Sequence, residues 1–283
     1  MNTPNRHTPD PWPDATPDRG YLSEMFCSIQ GEGPFVGERH VFVRTAGCTA
    51  ACNWCDTVYS KVLTPRFVIH EGDPGTAEAK RPLDNPVHID DAVDEVVAFA
   101  ARHRPVDAVS LTGGEPLEQP GFAVALARRL HAADLRLYLE TNGVHGAALS
   151  QILPYVGVIA MDIKLPSAVG LELWDAHREF LSVVAGTDFV AGKGTGRTLF
   201  VKIVMDARSR LDEVDRAVAL IAAVSPSIPL VLQPESETLL SPRTPRETAA
   251  AMMAAIESAQ RSARSRLECV RVMPQLHKIM KVR

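Results

Sequence analysis

Six short apolar runs, at residues 41–44, 108–111, 135–139, 156–163, 199–205 and 230–233, are separated by stretches of helical period. This alternation constrains the fold more than any other feature of the chain. The intervening stretches place apolar side chains on one face: Ala92, Val93, Val96, Val97 and Ala100 within 90–104, and Phe122, Ala125, Leu126 and Leu130 within 120–133. The same holds for Leu211, Val214, Val218 and Ile221 within 211–224, and for Ala249, Met252, Met253 and Ile256 within 245–264. Shorter helices are expected at 147–153 and 171–184, and Asp90 or Asp91 is placed to cap the first helix. Strands joined through helices lie parallel, with the helices covering the sheet. Six strands are too few to close an eight-stranded barrel, so the expected fold is α/β, an open (β/α)6 partial TIM barrel. In such folds functional residues gather at the C-terminal ends of the strands.

The first of those ends carries three thiols in eight residues, Cys48-Thr49-Ala50-Ala51-Cys52-Asn53-Trp54-Cys55. Thiolates are soft ligands that select zinc, copper(I) or iron–sulfur clusters, and a loop this short can aim three sulfurs at one centre. A structural zinc site is closed by four protein ligands, and His40 or His70 could complete such a Cys3His site. A cubane cluster held by three cysteines instead leaves one iron open for chemistry. Disulfides fit poorly, because the chain has five cysteines, an odd number, and no signal-peptide pattern. Cys27, inside an expected strand, reads as a buried small hydrophobe.

Later strand ends are polar as well. Thr112-Gly113-Gly114-Glu115-Pro116 could be a plain turn, but two glycines let backbone approach a ligand and Glu115 could accept from an ammonium. Glu140-Thr141-Asn142-Gly143 follows the third run. Asp162 and Lys164 share one face where the fourth run ends; they read as an ion pair at a sheet edge or as contacts to a ligand with hydroxyls and a carboxylate. Ahead of the cysteines, an expected strand from Tyr21 leads into Gln30-Gly31-Glu32-Gly33-Pro34, a turn with a carboxylate between glycines. His277 reads as a packed imidazole or a ligand contact.

Residues 1–20 hold five prolines and little to bury, so a disordered tail is expected, followed by a single domain over 21–283. Residues 60–88, rich in proline and glycine, are expected to form an irregular excursion, and a glycine-rich loop is expected around Gly192. The formal net charge of -4 argues against an electrostatic nucleic-acid binder, and Arg261, Arg264 and Arg266 read as a solvated helix face. With no apolar run of membrane length and no leader pattern, a cytoplasmic protein is expected.

The C-x3-C-x2-C spacing, with Trp54 before the last cysteine and Gly-Gly-Glu-Pro one strand later, resembles the radical S-adenosylmethionine (SAM) enzymes. That resemblance implies a 4Fe-4S cluster on Cys48, Cys52 and Cys55 whose open iron binds SAM, and the same partial barrel. Ser28-Ile29-Gln30-Gly31-Glu32-Gly33, Arg44-Thr45-Ala46-Gly47-Cys48, Cys55-Asp56-Thr57 and Val272-Met273-Pro274-Gln275-Leu276-His277-Lys278 resemble the 7-carboxy-7-deazaguanine synthase family more narrowly. The implied reaction is contraction of 6-carboxy-5,6,7,8-tetrahydropterin to 7-carboxy-7-deazaguanine with loss of ammonia, toward queuosine and other deazapurines. The same likeness implies that Trp54, Asp56, Gly114, Glu115, Asp162, Lys164, Gln233, Pro234, Glu235 and Ser236 surround SAM. It places Ile29, Gln30, Gly31, Glu32, Arg44, Thr112 and His277 on the pterin, with Arg44 a partner for its carboxylate. Thr57 would contribute a hydroxyl to Mg2+. A flavodoxin- or ferredoxin-type reductant and a homodimer are the implied partners, with neither nucleic acid nor membrane. Two other readings are a glycyl-radical enzyme activase, sharing the cysteine loop, Gly-Gly-Glu-Pro and Asp-Ile-Lys, and a zinc-stabilised interaction protein without catalysis.

Overall fold

The computed structural model describes residues 15–72, 79–191 and 196–283. Ten strands, β1 (Leu22–Ile29), β2 (Arg39–Thr45), β3 (Arg66–His70), β4 (Lys80–Asp84), β5 (Ala108–Gly113), β6 (Leu137–Thr141), β7 (Val158–Asp162), β8 (Thr198–Met205), β9 (Leu230–Pro234) and β10 (Val270–Val272), form one sheet. Its order is β10-β9-β8-β7-β6-β5-β2-β1-β3-β4, and the two end strands are not bonded to each other, so the sheet is open. The strands from β2 through β5, β6, β7, β8 and β9 to β10 all pair in parallel. The crossovers run through α1 (Ile89–Arg102), α2 (Pro120–Ala132), α3 (Gly146–Ile152), α4 (Trp174–Val184), α5 (Leu211–Val224) and α6 (Arg246–Ala263). Among the described residues no helix is long and apolar enough to cross a membrane.

The expected six strands are the middle of this sheet, and it is wider at both ends. The segment after Cys269 adds the short parallel β10, and the excursion at 60–88 is not irregular throughout, since it contributes the antiparallel pair β3 and β4. Pro82 hides β4 from a sequence reading, yet proline is tolerated on an edge strand, where one side of the ladder has no partner to lose. Thr16 to Gly20, expected in the tail, are ordered: Arg19 and Gly20 pair with His88 and Val87. Residues 1–14 and the glycines at 192 and 194 lie outside the described residues. The cap of α1 also differs from expectation, because the His88 side chain accepts from Asp90 N at 3.3 Å. Asp90 and Asp91 fall in the first turn, where carboxylates favour the helix dipole.

The alternation of side chains along each strand builds the site. Val41, Val43, Val109, Leu111, Leu137, Leu139, Ile159, Val201 and Ile203 face outward and are sealed by Val96, Phe99, Leu126, Leu149, Phe180, Leu181, Val218 and Ile256 of the helices. The inner positions fall into layers. Ala108, Tyr138, Val158, Phe200 and Val231, with Phe35 and Met273 against them, form a dry plug. One or two two-residue steps closer to the C-terminal ends come Arg44, Thr112, Glu140, Asp162, Lys202 and Gln233, all lining a single cavity. Register explains the match: Arg44 lies opposite Thr112, and Asp162 opposite Lys202.

Candidate active site

The cavity measures about 1080 Å³ and takes in the cysteine loop, the strand ends and the C-terminal segment. Every residue that the likeness assigns to the cluster, SAM, the pterin or Mg2+ lines it except Pro234, which ends β9 in register with Met205. Lys202, which sequence reasoning passed over, lines it too, as do Glu140, raised above only as a polar strand end, and Gln275 and Arg283 of the C-terminal segment.

β2 delivers the cysteine loop, and the loop is tied down before its first thiol. Gly47 N donates to Ser60 O at 2.7 Å, and Glu115 N donates to Gly47 O at 2.8 Å. A Cβ on Gly114 would lie 2.0 Å from Gly47 O, so only glycine lets the two turns meet there. Thr49 donates from both N and Oγ1 to Glu118 Oε1, at 2.9 and 2.6 Å. The three thiols are free and partly buried. Burial, with the Glu115 and Glu118 carboxylates adding like charge, pushes the Cys48 thiol up to about 12. Binding a cationic centre would therefore displace a proton there. The histidines that could have closed a zinc site are committed elsewhere. His40 Nδ1 is 2.8 Å from Ser110 Oγ and its Nε2 3.1 Å from Glu38; His70 Nε2 is 3.1 Å from Glu24. Among the described residues no three His, Cys, Asp or Glu side chains are gathered around one ion position.

Glu115 has a different duty from the one expected. Its Oε1 accepts from Leu117 N and Thr141 Oγ1, at 3.0 and 2.8 Å, and its Oε2 from Asn142 N at 2.7 Å. It thus fastens the end of β5 to the end of β6, and burial raises its pKa despite those bonds. Buried His177, which the sequence reading passed over, does the same one strand along. Lys164 N donates to its Nε2 at 3.2 Å, so the ring proton sits on Nδ1, 2.9 Å from Gly143 O.

A chain of charges crosses the floor. Lys164 Nζ lies 2.6 Å from Asp162 Oδ2 and 4.5 Å from the Trp54 ring centroid. Lys202 Nζ approaches Asp162 Oδ1 at 3.4 Å, close enough to attract but poorly aimed for a hydrogen bond, and bonds Glu32 on its other side. Burial would raise both carboxyls, but Lys164 and Lys202 hold Asp162 low, and Lys202, His277 and Gln275 hold Glu32 low. Gln30 bridges Glu140 and the backbone of Glu32, at 3.0 Å each, and Thr112 Oγ1 donates to Glu140 at 2.7 Å. The C-terminal segment closes one side. Leu276 N donates to Gly31 O at 2.8 Å, Lys278 pairs with Asp56 at 3.2 Å, and a Cβ on Gly31 would strike His277 at 2.3 Å.

Several polar atoms wait for a ligand. Asp162 Oδ1, Gln233 Oε1 and Trp54 Nε1 are buried and make no hydrogen bond. Three thiols and buried acceptors on one cavity fit a soft-metal cluster next to a hydroxyl- and amine-bearing molecule.

The depressed carboxyls carry a prediction. Asp162 and Glu32 have folded-state pKa values below their unfolded ones. Between the two values the unfolded chain binds more protons, so their contribution is full above the ordinary carboxylate range, about 4. It is lost as pH falls through the folded values. The acid limb of a denaturant-midpoint profile should be shallower in Asp162→Asn than in wild type; an unchanged limb would show that Asp162 is not held ionised.

Residues 42–168 match the profile of the Radical SAM superfamily. A 7-carboxy-7-deazaguanine synthase of Geobacter sulfurreducens is 37% identical over 261 residues, 92% of this chain and 96% of the relative. One from Thermococcus kodakarensis is 30% identical over 226 residues, 76% and 84% of the two chains. Among solved structures, QueE from Escherichia coli superposes with a TM-score of 0.56 over 92% of this chain and 95% of its own, at 20% identity, a likeness of fold.

Proposed function

Because the chain belongs to the 7-carboxy-7-deazaguanine synthase family of radical SAM enzymes, we infer that its cavity carries out that family's ring contraction. 6-Carboxy-5,6,7,8-tetrahydropterin is converted to 7-carboxy-7-deazaguanine with loss of ammonia, with a 4Fe-4S cluster and SAM as cofactors. The observation that carries this reading is the alignment to the Geobacter relative over 96% of its length. The cavity supports it by joining the cysteine loop to the Gln30–Glu32 turn and Arg44. When bound, the reduced cluster supplies one-electron cleavage of SAM and thereby a means of removing a hydrogen atom from the pterin.

The protein's own groups would hold and orient. Cys48, Cys52 and Cys55 would ligate the cluster at the mouth of β2. Asp162 Oδ1 and Gln233 Oε1, both without a hydrogen bond, would receive donors from SAM, with Trp54 and Lys164 packed alongside. Gly114 lines the same cavity, its missing Cβ giving room to Gly47 O so that the cysteine loop and the end of β5 meet there. On the other side of the charge chain, Gln30, Thr112 and Glu140 form a polar rail for the donors of a pterin ring, and Arg44 faces its carboxylate. The plug of Tyr138, Phe200 and Val231 keeps water from below. A one-electron carrier of flavodoxin or ferredoxin type, pairing of two copies and a cytoplasmic setting belong to the same proposal. Exposed Val58, Tyr59 and Val62, which follow the cysteine loop, are apolar surface a partner could cover, and all five cysteines are free.

The test is anaerobic incubation of reconstituted protein with SAM, Mg2+, dithionite and 6-carboxytetrahydropterin, read by product mass. A product lighter by ammonia is expected; SAM cleavage that instead activates a protein would favour the activase. Thr57 refines the test. It stands at the N-cap of the 3-10 turn Val58–Lys61, yet its side chain makes no capping bond and lies 3.9 Å from Cys55 Sγ. A hydroxyl not used for capping is a candidate ligand for Mg2+ beside substrate oxygens. Thr57→Ala should raise the Mg2+ needed for half-maximal turnover severalfold while cluster absorbance stays intact. An unchanged Mg2+ requirement would leave Thr57 as a turn residue.

A further inference from the structure

Glu24 and Arg44 lie directly opposite each other across the β1–β2 ladder, where a register shift between Leu22 and Glu24 re-aims the carboxylate. Arg44 Nε donates to Glu24 Oε1 at 2.9 Å. The other oxygen, Oε2, accepts from Arg283 NH1, also at 2.9 Å. Two guanidiniums thus share one buried carboxylate, each on its own oxygen. They also share a platform: their central carbons lie 5.8 and 5.7 Å from the centroid of the Phe26 ring, which stacks on Phe42 at 4.9 Å. Arg283 is fixed there through its backbone, since Ser28 Oγ donates to its carbonyl at 2.7 Å. Both arginines line the cavity, Arg44 in its wall with its side chain 14% exposed and Arg283 further out at 38%.

We propose that Arg283 is a specificity-determining residue, which with Arg44 forms a two-guanidinium grip over Phe26 for the carboxylate of the substrate. The proposal rests on the reading of Arg44 as the carboxylate anchor. Glu24 acts as the internal counter-ion that keeps the two forks side by side. It is itself held by Tyr59 OH, which donates to its Oε1 at 2.7 Å. Each fork has five N–H donors in a plane; Arg44 meets Glu24 through Nε, and Arg283 meets it through NH1, which also lies 2.8 Å from His70 Nε2. A carboxylate arriving over Phe26 then meets two oriented cations, one of them, Arg44, already largely buried. A pterin without a carboxylate gains nothing from them. The grip therefore selects for the charged substituent rather than for the ring.

The experiment is anaerobic calorimetric titration of the reconstituted, SAM-loaded protein with 6-carboxytetrahydropterin and with the neutral 6-methyltetrahydropterin, backed by KM and kcat for the first. Wild type should prefer the carboxylate. Arg283→Gln should weaken the carboxylated pterin on the order of tenfold, leave the neutral one nearly unchanged and act on KM more than on kcat. Arg283→Lys should recover part of the preference. Equal weakening of both pterins would make Arg283 a latch for the C-terminal segment and overturn the proposal, as would no effect on either. Arg44→Gln separates the two readings. Loss of preference in Arg44→Gln alone would sink only the role of Arg283. Full preference in both variants would show that the carboxylate binds elsewhere and would overturn the anchor reading too.

Discussion

Single replacement of Cys48, Cys52 or Cys55 by alanine is expected to abolish the iron–sulfur absorbance and all turnover, whereas Cys27→Ala and Cys269→Ala keep both. The three loop thiols line one cavity, and neither His40 nor His70 stands ready to substitute, because they are engaged with Ser110, Glu38 and Glu24. Losing one of three ligands opens a second iron to solvent. Cys27, by contrast, is buried among the outward-facing apolar residues of β1, where alanine removes one sulfur and costs about 1 kcal/mol of packing. Anaerobic reconstitution followed by iron and sulfide analysis gives the answer. A Cys52→Ala protein that retains its full iron, or a Cys27→Ala protein that loses it, would refute the assignment of the loop.

Lys202→Met should be the most damaging single change outside that loop. The ammonium sits between Glu32 and Asp162 with its side chain 13% exposed. Burial would lower its pKa, but Asp162, Glu32 and Glu140 together raise it, so it remains charged. A thioether of similar shape leaves two buried carboxylates facing each other, and removing one partner of such a pair costs about 3–5 kcal/mol. The expected result is a denaturation midpoint shifted by that amount at neutral pH, with part of the loss recovered at low pH as Glu32 and Asp162 protonate. Lys202→Arg keeps the charge and should fall between. If Lys202→Met were as stable as wild type at every pH, the charge chain would contribute nothing to the fold.

How far the sequence carried depends on what kind of contact built each feature. Six parallel strands and their helices followed from periodicity, because each buries its own pattern locally. Asp162 and Lys164 stood out as charges at the end of an apolar run. Lys202 interrupts Leu-Phe-Val-Lys-Ile-Val-Met in the same way, and that signal went unused. His177 also left a trace, since Trp174, Phe180, Leu181 and Val184 put it on the apolar face of α4. Nothing local marked Arg283, because its position depends on partners more than 200 residues away. Glu115 was recognised by its motif but not by its bonds: a residue type states what a side chain can accept, and only the fold states from whom. The edge strand β4, and with it its partner β3, was lost to Pro82, whose usual message is an end to structure.

The contact between Leu276 and Gly31 also sets an order of events during synthesis. The cysteine loop leaves the ribosome some 220 residues before the segment that closes over the cavity. At roughly 5–20 residues per second that interval is on the order of 10–40 seconds. Through all of it the nascent chain holds three thiols on a loop whose cover has not yet been made. Machinery that delivers iron and sulfide can therefore reach the loop before Leu276 docks against Gly31, and a stretch translated long after the loop becomes the door that shuts behind the cargo.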